Sequence, residues 1–205
     1  ELMDKFFSGE DFTQEEIRKG LLQGVRTGAI APVFCGSAIT TEAINPLLNA
    51  IVTILPSAAD NAGEQVKTPG GDDLYLDCSA ADPLAAFVFK TVADPFVGKM
   101  SYVKVVAGKL PSSSTPTNVR AGVPERMGKI ITIRGKKQED TDGIPAGDIG
   151  VVCKLAEAGT GDSLCDPKRL VLFEKAPFPK PSLTMAIELK GKGDEGKIAQ
   201  ALLRL

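Results

Sequence analysis

The sequence contains no histidine and no tryptophan. Without histidine, the commonest general base and the commonest nitrogen ligand for zinc are both missing. Enzymes that work through Asp, Lys or Cys are not excluded by this. The four cysteines, Cys35, Cys78, Cys153 and Cys165, are scattered and form no C-x-x-C pair. They support neither a metal site nor a disulfide framework, and read as reduced, largely buried thiols of a cytoplasmic protein. No apolar run is long enough to span a bilayer, and no secretory leader is visible, so no membrane partner is expected. Aromatic residues make up only 5 % of the chain. Candidates for stacking on nucleic-acid bases are therefore few: Phe87, Phe89, Phe96 and Tyr102. No Ser or Cys nucleophile lies in a recognisable pattern with a base, so no catalytic residue is assigned.

What the chain does have is a concentration of positive charge. Leu84 to Lys137 holds ten basic and two acidic residues, a net charge of +8, while the remaining residues carry a net −10. The overall −2 hides this asymmetry. The same stretch has the densest strand pattern in the protein. A cationic β module with acidic flanks points to an anionic partner, RNA or DNA phosphates above all. Within it Tyr102 and Lys104 alternate with Val103 and Val105, and neighbouring side chains on a strand face opposite ways. Lys99, Lys104, Lys129 and Arg134 are the candidate RNA-binding residues, expected to project outward. Val103, Val105, Ile130 and Ile133 are expected to include the inward set. A solvated face with no ligand is the plain alternative.

Length and composition allow one large or two small soluble domains: 205 residues, 43 % hydrophobic and 24 % charged. Taken in order, Leu2, Met3, Phe6 and Phe7 have helical spacing. Thr13-Gln-Glu-Glu16 is a capping-box pattern opening a second helix. Ala29 to Cys35 reads as a short buried strand, and Ile44 to Leu55 as an amphipathic helix with Pro46 in its first turn. Ser57 to Pro83, rich in Asp, Gly, Ala and Pro, reads as a linker with one extended piece at Leu74–Leu76. Strands are expected at Leu84–Val92, Ser101–Ala107, Met127–Arg134, Asp148–Leu155 and Leu170–Phe173. Gly- and Pro-rich turns separate them, a pattern that suits a closed antiparallel barrel. Three prolines at 177, 179 and 181 mark a boundary. A strand at Leu183–Leu189 and a helix capped by Asp194 follow. The α/β pieces at both ends lack sheet partners, and the chain starts at Glu1 and stops within a helical pattern, as expected of a piece of a longer protein.

Gly191-Lys-Gly-Asp-Glu-Gly196 matches G-x-G-x-x-G between a predicted strand and helix. It is the basis for an alternative reading as a dinucleotide-dependent enzyme. Against that, Asp194 and Glu195 put negative charge where a pyrophosphate would sit. Two D-x-x-G matches, Asp60 to Gly63 and Asp140 to Gly143, come without a G-x-x-x-x-G-K-[ST] loop or an N-K-x-D element.

Three stretches together resemble translation elongation factor G. Pro32-Val-Phe-Cys-Gly-Ser-Ala38, with Asn45-Pro-Leu-Leu48 and Leu55-Pro-Ser57, is similar to the end of that family's GTPase domain. Leu84-Ala-Ala-Phe87 and Ala93-Asp-Pro-Phe-Val-Gly-Lys99 resemble the first strands of its second domain. Ala146-Gly-Asp-Ile149 and Thr160-Gly-Asp-Ser-Leu164 are similar to that barrel's closing strands, and Pro179 onward resembles the start of the third domain. The resemblance implies a mainly β fold, an antiparallel translation-factor barrel over 84–176. It would be flanked by an incomplete GTP-binding domain at 1–56, a linker at 57–83 and an incomplete α+β domain at 177–205. It implies that Gly36, Ser37 and Ala38 match the last guanine-contacting loop. It also implies a parent protein that uses GTP and Mg²⁺ on the ribosome, with no cofactor or catalysis in these residues themselves. The expected partner is small-subunit ribosomal RNA, and the apolar face of 1–55 is expected either to drive self-association or to leave that segment disordered. Thr40-Thr-Glu-Ala43 and the loop Ile133 to Gly143 depart from the common factor. They leave translocation, recycling and ribosomal protection open as parent roles, and a free-standing RNA-binding module remains a further alternative.

Overall fold

The computed structural model describes residues 2–61, 63–188 and 195–202, and it divides into two compact units, 1–61 and 62–205. The first is helical: α1 (Leu2–Ser8), α2 (Gln14–Arg26) and α3 (Ile44–Ile54). Helix α2 starts where the sequence says it should. The Glu16 amide donates to Thr13 Oγ1 (3.3 Å), and the Thr13 amide donates back to Glu16 Oε2 (2.8 Å), so each residue satisfies a donor that the helix start leaves free. Lys5 Nζ joins at 2.9 Å from Glu16.

The strand expected at 29–35 does not form. Those residues carry no ladder, and Val33 is 87 % exposed. A strand needs a partner for its N–H and C=O groups, and none exists among the described residues of this unit. Cys35 is accordingly exposed and Cys78 half-buried, whereas Cys153 and Cys165 are buried. Burial pushes the thiols of Cys153 and Cys165 up, away from the reactive thiolate.

Among its described residues, the second unit is built of twelve strands. They are β1 (Glu64–Lys67), β2 (Asp73–Leu76), β3 (Ala85–Asp94), β4 (Gly98–Ala107), β5 (Lys109–Pro111), β6 (Thr117–Asn118), β7 (Val123–Pro124), β8 (Ile130–Arg134), β9 (Lys137–Thr141), β10 (Gly143–Pro145), β11 (Ile149–Cys153) and β12 (Ser163–Cys165). Eight of them make one antiparallel sheet in the order β7-β6-β12-β3-β4-β11-β8-β9, and β10 pairs with β5. The sheet wraps one apolar interior formed by Leu84, Ala86, Val88, Val103, Val105, Ile130, Val152 and Leu164, with others. The ladder keeps two edges instead of closing strand to strand. One edge is a two-residue strand ending in Pro124, and the other carries Lys137, Glu139 and Asp140, both features that discourage pairing with another chain.

The stretch 57–83 is not a plain linker. It holds the β1–β2 hairpin, turned at Thr68–Asp72, where the Thr68 amide donates to the Asp72 carbonyl (2.8 Å). Val66 and Leu76 are buried in a second cluster with Ala85, Val106, Ala107, Cys165, Val171 and Phe173. Leu170–Phe173, expected as a strand, contributes a single bridge, Leu172 to Lys67. A further difference concerns Ile133. Ile130 faces the interior, but Ile133 lies three residues on, at opposite parity. It packs outside with Met100, Ile131, Val151 and Cys153. Gly108 joins β4 to β5 at φ 73°, where a Cβ would come within 2.7 Å of the Asp82 carbonyl oxygen, so no other residue fits without a shift.

Residues 183–188 are exposed and unpaired, so the strand expected at Leu183–Leu189 is not seen over its described part. Helix α4 (Glu195–Leu202) follows. The residues 191–194 of the G-x-G-x-x-G match, including the expected cap Asp194, lie outside the described residues.

Candidate functional site

The longest strand pair, β3 with β4, sets the outer surface of the sheet. Val88 pairs with Val103 and Lys90 with Tyr102, which leaves Phe89 as an extra residue. This is a β-bulge, two residues opposite one. Phe89 and Lys90 therefore both reach the Tyr102 side of the sheet. The Phe89 and Tyr102 rings are 6.2 Å apart, and Lys90 Nζ lies 5.7 Å from the Tyr102 ring centre.

The basic candidates have different surroundings. Lys104 Nζ is 2.6 Å from Glu64 Oε2, Lys129 Nζ is 2.8 Å from Asp140 Oδ1, and Arg134 is 2.6 Å from Glu139 Oε2. Lys137 also reaches Glu139, at 2.7 Å. Lys137 and Arg134 together hold the Glu139 carboxyl below the ordinary carboxylate range, and Asp140 raises the Lys129 ammonium. Three of the four candidates thus spend much of their charge on carboxylates that the fold brings in. Lys99 is the exception: among the described residues it has no ion-pair partner.

Lys99 sits at one end of the barrel, where two clefts meet. One, about 700 Å³, is lined by Thr91 to Lys99, Lys154 and Thr160. The other, about 870 Å³, is lined by Arg126, Lys129, Lys154 and Val97, among others. The Lys154 amide donates to the Lys99 carbonyl at 2.7 Å, which fixes the two basic residues side by side. Arg126 and Lys154 are exposed and, among the described residues, without an ion-pair partner.

Two carboxylates shape this end without neutralising it. Asp94 Oδ1 accepts from the Phe96 and Val97 amides, each at 2.8 Å, which pins the β3–β4 turn and lowers the Asp94 pKa. Glu125 is 2 % exposed and accepts from the Ala156 (2.7 Å), Glu157 (3.0 Å) and Ala158 (2.8 Å) amides. That set of bonds holds the loop next to Lys154.

The turn at Gly36, Ser37 and Ala38 is a separate feature of the helical unit. The Ser37 amide donates to the Glu42 carbonyl at 3.1 Å, and the Thr40 amide donates to Ser37 Oγ at 3.3 Å. A Cβ at Gly36 would meet Glu42 O at 2.9 Å. Ser37 is half-buried and its amide is engaged, whereas Ala38 is exposed.

Residues 83–167 match the family model for elongation factor G domain 2. That matched stretch runs from β3 through β12. A crystal structure of a protein from Thermus thermophilus is similar over 99 % of this chain, at 27 % identity and a TM-score of 0.75. The chain spans only 28 % of that protein's length. The chain is therefore mainly β and, over its barrel, similar to elongation factor G domain 2. Among its described residues, no helix is long and apolar enough to cross a membrane.

At the cleft end of this barrel, Lys99 and Lys129 were legible as candidates in the sequence, but Arg126 and Lys154 were missed as their neighbours. Arg126 is visible as one of the ten basic residues, but Lys154 lies 17 residues beyond the counted block. Only the contact between Lys154 and Lys99 brings it in. Lys104 and Arg134 belong to paired surfaces instead.

Proposed function

We propose that the elongation factor G-like barrel docks its parent translational GTPase on small-subunit ribosomal RNA, in the cytoplasm, through phosphate contacts at the cleft end. The observation that carries this is the group of Lys99, Arg126 and Lys154, cations without carboxylate partners among the described residues, around two joined clefts. Phosphate binding by such a group is sequence-independent and releases counterions, so affinity should fall steeply with salt. Lys129 adds to it as its pair with Asp140 exchanges for phosphate. The test is binding of small-subunit ribosomal RNA by the whole chain over a salt series. A log–log slope near zero would overturn the proposal.

The residues present do not by themselves make a GTP site. The sequence has no phosphate loop, and the Ser37 amide is already taken by Glu42. In a parent with GTP and Mg²⁺ bound, these residues would offer the guanine end at most, through Gly36, Ser37 and Ala38. This chain alone should turn over no GTP, since phosphoryl transfer needs a phosphate cradle and metal ligands. Hydrolysis above background would contradict this. Self-association through residues 1–55 belongs to the same reading, because Phe6, Phe7, Val33 and Val52 are exposed there. Sedimentation of the isolated chain would reveal a dimer or its absence.

A further inference from the structure

The β3–β4 turn holds a phenyl ring that the barrel does not use. Phe96 is 97 % exposed, more than any other large apolar side chain among the described residues of this unit. Pro95 beside it is exposed as well. The turn is held in shape, since Asp94 binds the amides of Phe96 and Val97 at 2.8 Å each. A ring presented on a pinned turn loses little freedom on binding. The same turn lines the cleft that contains Lys99 and Lys154.

We propose that Phe96 is a stacking platform for one unpaired RNA base, with Lys99 and Lys154 holding the phosphates on either side of it. The inference rests on the RNA-docking reading and goes further, because it names the kind of RNA. A regular A-form duplex buries its base faces and would offer the ring nothing. A bulged or looped nucleotide exposes a face, and an aromatic ring accepts any base. The charge around the ring favours this over an apolar protein pocket, since both adjoining lysines lack carboxylate partners among the described residues.

The test compares a synthetic RNA hairpin carrying one bulged adenosine with the same hairpin fully paired. The whole chain, Phe96→Ala and Phe96→Tyr are each titrated by fluorescence anisotropy at several salt concentrations. The unaltered chain should bind the bulged RNA roughly 5-fold or more tightly than the paired one, given the usual strength of base–aromatic stacking. Phe96→Ala should lose that preference while keeping the salt slope, and Phe96→Tyr should retain it. Equal affinity of the unaltered chain for both RNAs would overturn the stacking role and leave phosphate docking standing. Failure to bind either RNA would overturn both. A preference that survives in Phe96→Ala would also overturn it. So would a Phe96→Ala variant that loses small-subunit binding with both hairpin affinities unchanged, since Phe96 would then meet a protein.

Discussion

Lys104 forms its ion pair with Glu64, forty residues earlier in the chain and on a different hairpin. Both side chains remain about two-fifths exposed. Such a pair contributes about 0.2–1 kcal/mol to stability, but it does cancel the charge that a phosphate would feel. Lys99→Ala or Lys154→Ala should therefore lower the salt slope of RNA binding by about one unit each. Lys104→Ala should lower it by clearly less, and Glu64→Gln, which frees Lys104, should strengthen binding. Equal slopes for Lys99→Ala and Lys104→Ala would refute this division of the basic face.

Glu125 offers a test of how the cleft is held. Its two oxygens serve three amides, and the carboxylate is almost wholly buried. Glu125→Ala leaves those donors unsatisfied and should cost about 2–4 kcal/mol in urea unfolding. Glu125→Gln keeps one acceptor and should cost less. A neutral Glu125→Ala would mean that water replaces the carboxylate without penalty.

The α2 cap carries a pH dependence with a defined sign. The Thr13 amide, Lys5 and the Thr13 hydroxyl hold the Glu16 carboxyl at about 2, below its ordinary 4.5. A carboxyl with a depressed pKa stabilises the folded form above its unfolded value, and that stabilisation is lost as pH falls through the folded one. Helicity of residues 14–26 should thus decline between about pH 4.5 and pH 2. Circular dichroism at 222 nm should show this decline, and Glu16→Gln should remove it. A decline of the same size in Glu16→Gln would place its origin elsewhere.

Val66 decides whether the first hairpin is part of the barrel. It is 2 % exposed and packs with Val171 and Phe173. Val66→Ala deletes two buried carbons and should destabilise by about 1–3 kcal/mol. A substitution in a true linker would change nothing measurable by thermal unfolding.

What could be read in the sequence depended on the range of the interaction. The Thr13–Glu16 capping box is complete within four residues, so its pattern and its geometry agree. The strands around Val103 and Val105 were legible because alternation is a local property. The β1–β2 hairpin was not: Val66, Leu74 and Leu76 are few against a turn rich in Gly and Asp, and their burial depends on Val171 and Phe173, about a hundred residues away. The expected strand at 29–35 failed for the complementary reason, since an apolar run specifies a strand only when another strand lies beside it. Counting charge over 84–137 overstated the basic face, because Glu64, Glu139 and Asp140 lie outside that count and return through the fold to neutralise it. Where Gly36, Ser37 and Ala38 are concerned, resemblance named the turn, but only the structure revealed that the Ser37 amide is already bonded.

The bulge at Phe89 also bears on how this strand tolerates change in length. Removing one residue from a paired strand normally flips every later side chain to the wrong face. Here β3 already contains one residue more than its partner requires. Losing either Phe89 or Lys90 would restore plain alternation, with Val88 inward, the survivor outward opposite Tyr102, and Thr91 still opposite Ser101. A single-codon deletion at this point is therefore one the interior can absorb. Retaining both side chains is a property of the surface, where a ring and a cation share one tyrosine.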